Sequence, residues 1–529
     1  MINFPKKLIK NIPTILALIT IFIFAISLIR NINYVKIPNS DFFQYINEGR
    51  QYLKFRLPIN IGAPPLSPIL ICFFAKFLTF AEYPELFSAH LINIVCSSLI
   101  LLNIFLIFKK TKPWIGLFTI ILLATNKIYF TNSLNITNEV VYTYFLTLII
   151  LLYSKKQYKI SYLLSGLAFL VRYEAIIIPI IIFGLEFFKK TKRFKISNLA
   201  ITFLPIIIFS IILNFHSEGG SSIFQNHYIT EIIYGKNNIP NWQPIKSFLD
   251  ILLSDQVNSF IFFNLHVDSY PTLPGKITNI IFPFIVVFLC LAKIIPKKNS
   301  ITTKIIFLTL LGHTVFISFF PNFSIRYLFP IFWILYLVII NRKNKIVTVT
   351  LTLILLTINI ITIRQNSFYD ESQNKSEYRL VAEWIKQQNF NKQTHIIVFE
   401  PFIIKYYLHE QQNIIFNDRY VFDFTDERFN HLLDGCHNNT LCVIQSLYNK
   451  KSNDSQFFFI TTTASSPEGD IDNLSDQFYV TQVHLKAFRD QNLSENDKKQ
   501  LKLIIELKQS DFNWAKIYQY QPTTNLLPQ

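Results

Sequence analysis

The sequence predicts an α-helical polytopic membrane protein with a C-terminal α/β domain outside the cytoplasm. Three observations carry that reading. The 529-residue chain is 51% hydrophobic and only 16% charged, where soluble proteins average about a quarter charged. Apolar runs near or above the roughly 18 residues that cross a bilayer recur along residues 1–364. Beyond residue 364 those runs shorten, and charges of both signs mix with short apolar strings. The domains are therefore placed at 1–364 and 365–529. A formal net charge of +17 would suggest nucleic acid in a soluble chain. Here the lysines cluster between apolar runs, as they do in cytoplasmic loops, so no nucleic-acid partner is assigned.

The elements follow in order. Lys6, Lys7 and Lys10 precede the run Pro13–Ile29. Ala25 and Ser27 loosely mimic a signal-cleavage site, but the length of the run favours an uncleaved helix. The positive-inside rule then puts the N-terminus in the cytoplasm and Asn39–Pro68 outside. The next run, Leu66–Phe80, is about fifteen residues, short for a span. If it crossed, the cluster Lys109, Lys110 and Lys112 would lie outside and the acidic linker AEYPE inside, inverting the charge bias. It is read as an interfacial or re-entrant helix, and Leu86–Phe108 as the second span.

The remaining runs then alternate. They are Trp114 to about Lys127, Glu139–Tyr153, Ile160–Val171, Ile176–Phe188, Ile196–Phe215, Ile277–Ala292, Ile305–Phe320, Tyr327–Ile340 and Ile346–Ile363. That gives about eleven spans, and every dense lysine cluster between them falls inside. A polar segment, His216–Lys276, falls outside. In the C-terminal part, Leu380, Val381, Trp384 and Ile385 make one helical face. Residues 394–400, 413–417, 441–447 and 456–462 read as strands. FIIKYYLH and DERFNHLL read as helices between them, an α/β pattern. Cys72, Cys96 and Cys290 lie in apolar runs as packing residues. Cys436 and Cys442 bracket a polar loop, and sequence leaves open whether they pair.

This topology gathers ionisable residues at the outer face. Asp41 follows the first span, with Tyr45, Glu48, Arg50, Lys54 and Arg56 after it. Glu139 opens the span after TNSLNITN, Arg172 and Glu174 share a tight turn, and Arg326 with Tyr327 stands at a later span's mouth. Charges at helix ends in a membrane are costly unless used or paired. Each has a plainer reading: Asp41 as an N-cap, Glu139 as a first-turn acid favoured by the helix dipole, Arg172 and Glu174 as a structural ion pair, Arg326 as a snorkelling interface residue. Together they suit one chemistry. Arginines bind a phosphate through bidentate hydrogen bonds, and an acid deprotonates a hydroxyl as general base.

The order of motifs resembles the GT-C superfamily of integral-membrane glycosyltransferases, closest to the lipid A aminoarabinose transferase and protein O-mannosyltransferase branch. The resemblance is carried by Asp41, by Tyr45 four residues on, and by G-x-P-P-L-x-P at Gly62–Pro68. L-A-F-L-V-R-Y-E at 167–174 and R-Y-L-F-P at 326–330 complete it. It implies a polyprenyl-phosphate-linked sugar as donor and a lipid, envelope polysaccharide or protein as acceptor, in the bacterial cytoplasmic membrane. It implies Asp41 as the catalytic residue; Glu139 is read as positioning the acceptor or the base. Arg326 and Tyr327, helped by Arg172, Glu174, Tyr45 and Lys54, would hold the donor. Protein O-mannosyltransferases have adjacent Asp-Glu in the first loop; here Phe42 follows Asp41, which disfavours that subfamily. Some relatives hold a divalent metal near the acids, but His216, His227 and His266 show no ligand spacing, so none is assigned. The rival reading, a transporter or flippase of a lipid-linked saccharide, predicts midplane charges and internal repeats; the sequence has neither.

Overall fold

The computed structural model describes residues 6–32, 41–56, 58, 63–188, 196–214, 301–317, 329–341, 344–365, 376–388, 390, 394–398, 401–408, 414–418, 456–462, 500–510 and 513–521. The chain divides into two compact units. The first comprises residues 1–35 and 44–369, the second residues 36–43 and 370–529.

The first unit is helical. Its helices are α1 (Lys6–Asn31), α2 (Asp41–Tyr52, whose first turn groups with the second unit), α3 (Leu66–Ala75), α4 (Pro84–Phe108), α5 (Pro113–Ala124), α6 (Lys127–Leu134) and α7 (Asn138–Ser154). They continue with α8 (Tyr158–Phe169), a 3-10 turn (Tyr173–Ile176), α9 (Ile177–Phe188) and α10 (Ile196–Asn214), then α11 (Ile301–Ile317), α12 (Phe332–Ile340) and α13 (Lys345–Gln365). Among the described residues, Asn11–Asn31 and Pro84–Phe108 are long and apolar enough to cross a bilayer. Helix α3 has 10 residues, a rise of about 15 Å, half the roughly 30 Å hydrocarbon core. That length fits an interfacial helix.

Helices α1, α4, α5 and α7 share one core. Phe24 of α1 packs against Tyr129 and Phe130 of α6, and Tyr129 stacks on Phe329 with ring centroids 5.2 Å apart. Small residues set the close approaches. A Cβ on Gly166 of α8 would lie 1.9 Å from Thr202 O of α10, and one on Gly49 of α2 would lie 2.3 Å from Pro68 O of α3. Both pairs of backbones touch where only glycine fits.

The run expected as one span from Trp114 to about Lys127 is instead bent by 66° between α5 and α6. Asn126 is the cause. Its backbone is extended, its side-chain oxygen accepts from Tyr129 N, and its Nδ2 donates to Tyr336 Oη at 2.9 Å. An N-cap starts a new helix here rather than continuing the old one. Ile160–Val171 and Ile176–Phe188 become α8 and α9, 12 residues each, joined through the 3-10 turn. The polar segment 216–276 and the run 277–292 lie outside the described residues.

The second unit holds α14 (Ser376–Gln387), β1 (Thr394–Val398), α15 (Pro401–Tyr407), β2 (Ile414–Asp418), β3 (Phe457–Thr462), β4 (Leu501–Ser510) and β5 (Asn513–Tyr520). The sheet order is β2-β1-β3-β5-β4, parallel across β2, β1 and β3 and antiparallel across β3, β5 and β4. Val381, Trp384 and Ile385 of α14 are buried, with Leu380 at the edge of that face. Trp384 packs edge-on against Phe458 of β3. Strands β4 and β5 escape the sequence reading. Their signal is present, since Ala515 and Ile517 alternate inward, but charged residues dilute it in β4. The expected strand 441–447, the helix DERFNHLL and Cys436 and Cys442 lie outside the described residues. In this unit Phe42 and Phe43 pack edge-on against Tyr406 of α15.

Candidate functional site

The site is built where α7 begins and α8 ends. Thr137 is extended, and α7 starts at Asn138 with Glu139 in its first turn, where the exposed N–H dipoles favour a carboxylate. Helix α8 stops at Phe169. Arg172 is again extended and leads into the 3-10 turn that carries Glu174.

These breaks bring three charges together. Arg172 Nη1 donates to Glu139 Oε1 at 2.5 Å. Its Nε donates to both Glu174 oxygens at 3.0 and 3.1 Å, and its Nη2 donates to Glu174 Oε1 as well. Glu139 and Glu174 are 2% and 4% exposed. One guanidinium thus holds two buried carboxylates, and the triad carries a formal charge of −1. Two other contacts fix its surroundings. Leu66 N donates to Leu170 O at 2.8 Å, fastening the start of α3 to the end of α8. Asn93 of α4 donates to Asn135 O in the loop before α7.

A second group orders α2. Glu48 is buried and accepts from Ala63 N at 3.3 Å and from Gln44 Nε2 at 3.0 Å. Arg50 pairs with Glu85 at the start of α4, at 2.7 Å. Cys72 Sγ donates to Ile46 O at 3.5 Å; burial, with Glu85 adding, pushes the thiol up to about 12. Burial also raises the Tyr52 phenol, with Glu48 adding.

Of the residues selected from sequence, the structure brings together Glu139, Arg172 and Glu174. Asp41 opens α2, and Tyr45 is buried on the same helix. Lys54 is exposed just past the end of α2. Arg326 and Tyr327 lie outside the described residues. Among the described residues no group of three or more His, Cys, Asp or Glu is placed to hold a metal. Sequence reasoning passed over Glu186, fully buried in α9, which accepts from Tyr153 Oη at 2.8 Å and Tyr162 Oη at 3.2 Å. A carboxylate inside a predicted apolar helix was the available signal. It also passed over Thr137, Asn138 and Tyr142, neutral residues that a search for charges does not flag.

Comparison with known proteins bears on this arrangement. Residues 63–215, which contain α3 to α10 and the whole triad, match the family model described as dolichyl-phosphate-mannose-protein mannosyltransferase. Among solved structures, the apo oligosaccharyltransferase of Archaeoglobus fulgidus is similar at a TM-score of 0.53 and 11% identity, covering 87% of this chain and 70% of that one. The chain shares its fold with that enzyme. The same archaeal enzyme in complex with Zn and sulfate gives a TM-score of 0.51 at 12% identity, covering 86% and 68%. ArnT from Cupriavidus metallidurans, bound to undecaprenyl phosphate, gives 0.40 at 10% identity, covering 96% and 97%. No curated protein matches the chain. The resemblance to GT-C glycosyltransferases carried by the sequence motifs stands, and the triad sits inside the segment that the family model matches.

Proposed function

We propose that this protein is a membrane glycosyltransferase that moves a sugar from a polyprenyl-phosphate donor to an extracytoplasmic acceptor. The observation that carries the reading is the charge triad within a GT-C fold, inside the segment similar to polyprenyl-phosphate-dependent mannosyltransferases.

In this reading Asp41 takes the proton of an acceptor hydroxyl as that oxygen attacks the anomeric carbon. The bond from that carbon to the phosphate oxygen breaks, and polyprenyl phosphate leaves with the bonding pair. Displacement in a single step inverts the anomeric configuration. The triad's negative charge makes it a poor phosphate ligand, because Arg172 is already committed to two acids. We therefore assign the leaving phosphate to Arg326 with Tyr327, where a guanidinium stabilises developing charge, with Lys54 and Tyr45 contributing to donor binding. Glu139, held by Arg172, positions the acceptor hydroxyl. The flippase alternative calls for a charged pathway along the helices and for internal repeats. The charge triad lies instead at the start of α7 and the end of α8, which favours the transferase reading.

The test is transfer in isolated membranes from undecaprenyl-phosphate monosaccharides bearing a hexose, an N-acetylhexosamine or an amino-pentose. Wild-type protein transfers one of them; Asp41→Asn abolishes that transfer while expression is unchanged. Wild-type rates in Asp41→Asn membranes would overturn the mechanism. Mass spectrometry of envelope glycolipids and glycans after gene deletion identifies the missing sugar.

A further inference from the structure

Two buried polar clusters in the helical unit behave differently. In the first, both oxygens of Glu186 accept from tyrosine hydroxyls. That carboxylate is served by the protein itself and ties α7, α8 and α9 together, so it asks for no ligand. In the second, at the start of α7, the groups are not served. Thr137 Oγ1, Asn138 Oδ1 and Tyr142 Oη are buried without a hydrogen-bond partner among the described residues. Thr137 is 6%, Asn138 5% and Tyr142 0% exposed.

An orphaned buried polar group costs about 1–3 kcal/mol, and natural folds keep few of them. Three in one run of six residues call for an explanation. Their placement gives one. Asn138 and Tyr142 are four apart on α7 and share a face, while Glu139 and Tyr142 are three apart and adjoin. Tyr142 therefore adjoins the carboxylate that Arg172 holds, and Thr137 and Asn138 immediately precede it in the chain. The Tyr142 ring stacks on His313 of α11, with centroids 5.9 Å apart. Thr137 stands at the N-cap position but makes no cap bond, so its hydroxyl is not spent on the helix.

We propose that Thr137, Asn138 and Tyr142 form a hydroxyl-binding wall that takes the ring hydroxyls of a carbohydrate beside the Glu139–Arg172–Glu174 triad. This rests on the glycosyltransferase reading and deepens it. The chemistry favours a carbohydrate over the other ligand classes. The three groups are neutral, so they supply no cation to draw in a phosphate or carboxylate. They are polar, so an isoprenoid chain would leave them unpaired. A hydroxyl and a phenol both donate and accept, and an amide oxygen accepts; a sugar hydroxyl also does both. The carbohydrate is either the donor's sugar or a glycan acceptor.

The test uses the full-length protein in detergent and the variants Thr137→Val, Asn138→Leu and Tyr142→Phe, the first and last nearly isosteric. Thermal unfolding without ligand is measured first. Removing an orphaned polar group leaves stability unchanged or higher, whereas removing a group paired within the protein lowers it. Binding of undecaprenyl phosphate is then compared with binding of the three undecaprenyl-phosphate monosaccharides. The wild type prefers one monosaccharide over the bare lipid phosphate. If the wall takes the donor sugar, each variant cuts that preference by about three- to ten-fold, the worth of one hydrogen bond, and bare undecaprenyl phosphate binds as before. If it takes the acceptor, the preference survives and donor hydrolysis by water continues, while transfer to envelope glycans in membranes falls. Variants that lose stability, or that change neither preference nor transfer, overturn this inference alone. A wild type that binds none of the four lipids overturns the glycosyltransferase reading and this inference with it.

Discussion

Replacing Arg172 with methionine isolates the triad's energetics. The methionine fills much of the same volume and removes the charge. It deletes the 2.5 Å bond to Glu139 and the fork onto Glu174, so two carboxylates that are 2% and 4% exposed lose the guanidinium that bridges them. Breaking a buried ion pair by removing one partner costs about 3–5 kcal/mol. With two acids each losing this partner, the upper end of that range is expected for Arg172→Met. Most of the loss comes from the stranded charges, not from the pair itself. Arg172→Met combined with Glu139→Gln and Glu174→Gln should therefore regain about half of it or more, although it changes more residues. Each variant is purified in detergent, and its unfolding free energy is read from denaturant titration followed by tryptophan fluorescence. Two results would refute the reasoning: a loss below about 1 kcal/mol for Arg172→Met, the value of a surface pair, or a triple variant no more stable than the single one.

Other predictions follow from packing and backbone geometry. Gly166→Ala puts a Cβ 1.9 Å from Thr202 O, pushing α8 off α10 at a cost of about 1–3 kcal/mol. Gly184→Ala meets nothing within 4 Å and gains up to about 1 kcal/mol of helix propensity; equal effects in thermal unfolding would contradict the packing. Lys156 has φ 67° at the end of α7, where Gln157 N donates to Leu152 O at 2.9 Å, the closure usually built on glycine. Lys156→Gly should stabilise by about 1 kcal/mol, and a drop in melting temperature would refute it. The Cys72 thiol, pushed up to about 12 by burial, is only about one part in ten thousand thiolate at pH 8, and the thiolate is the reactive form. Iodoacetamide should leave Cys72 unlabelled at pH 8 until the protein is denatured; rapid labelling of the folded protein, read by peptide mass spectrometry, would disprove it.

The sequence by itself determined the membrane class, because composition and run length follow from the bilayer's thickness and need no partner residues. It also marked α3 as too short to cross and flagged Glu139, Arg172 and Glu174, since charge in an apolar setting is visible residue by residue. It could not show that one guanidinium serves both acids. Glu139 and Arg172 are 33 residues apart, and only the breaks before α7 and after α8 set their separation. The 66° bend at Asn126 was similarly hidden, because the polar partner that favours it, Tyr336, lies 210 residues away. Burial decided the rest. Thr137, Asn138 and Tyr142 read as ordinary polar residues along the chain. The packing of α4, α7, α8 and α11 is what removes them from solvent and leaves their hydrogen bonds to be made by something else.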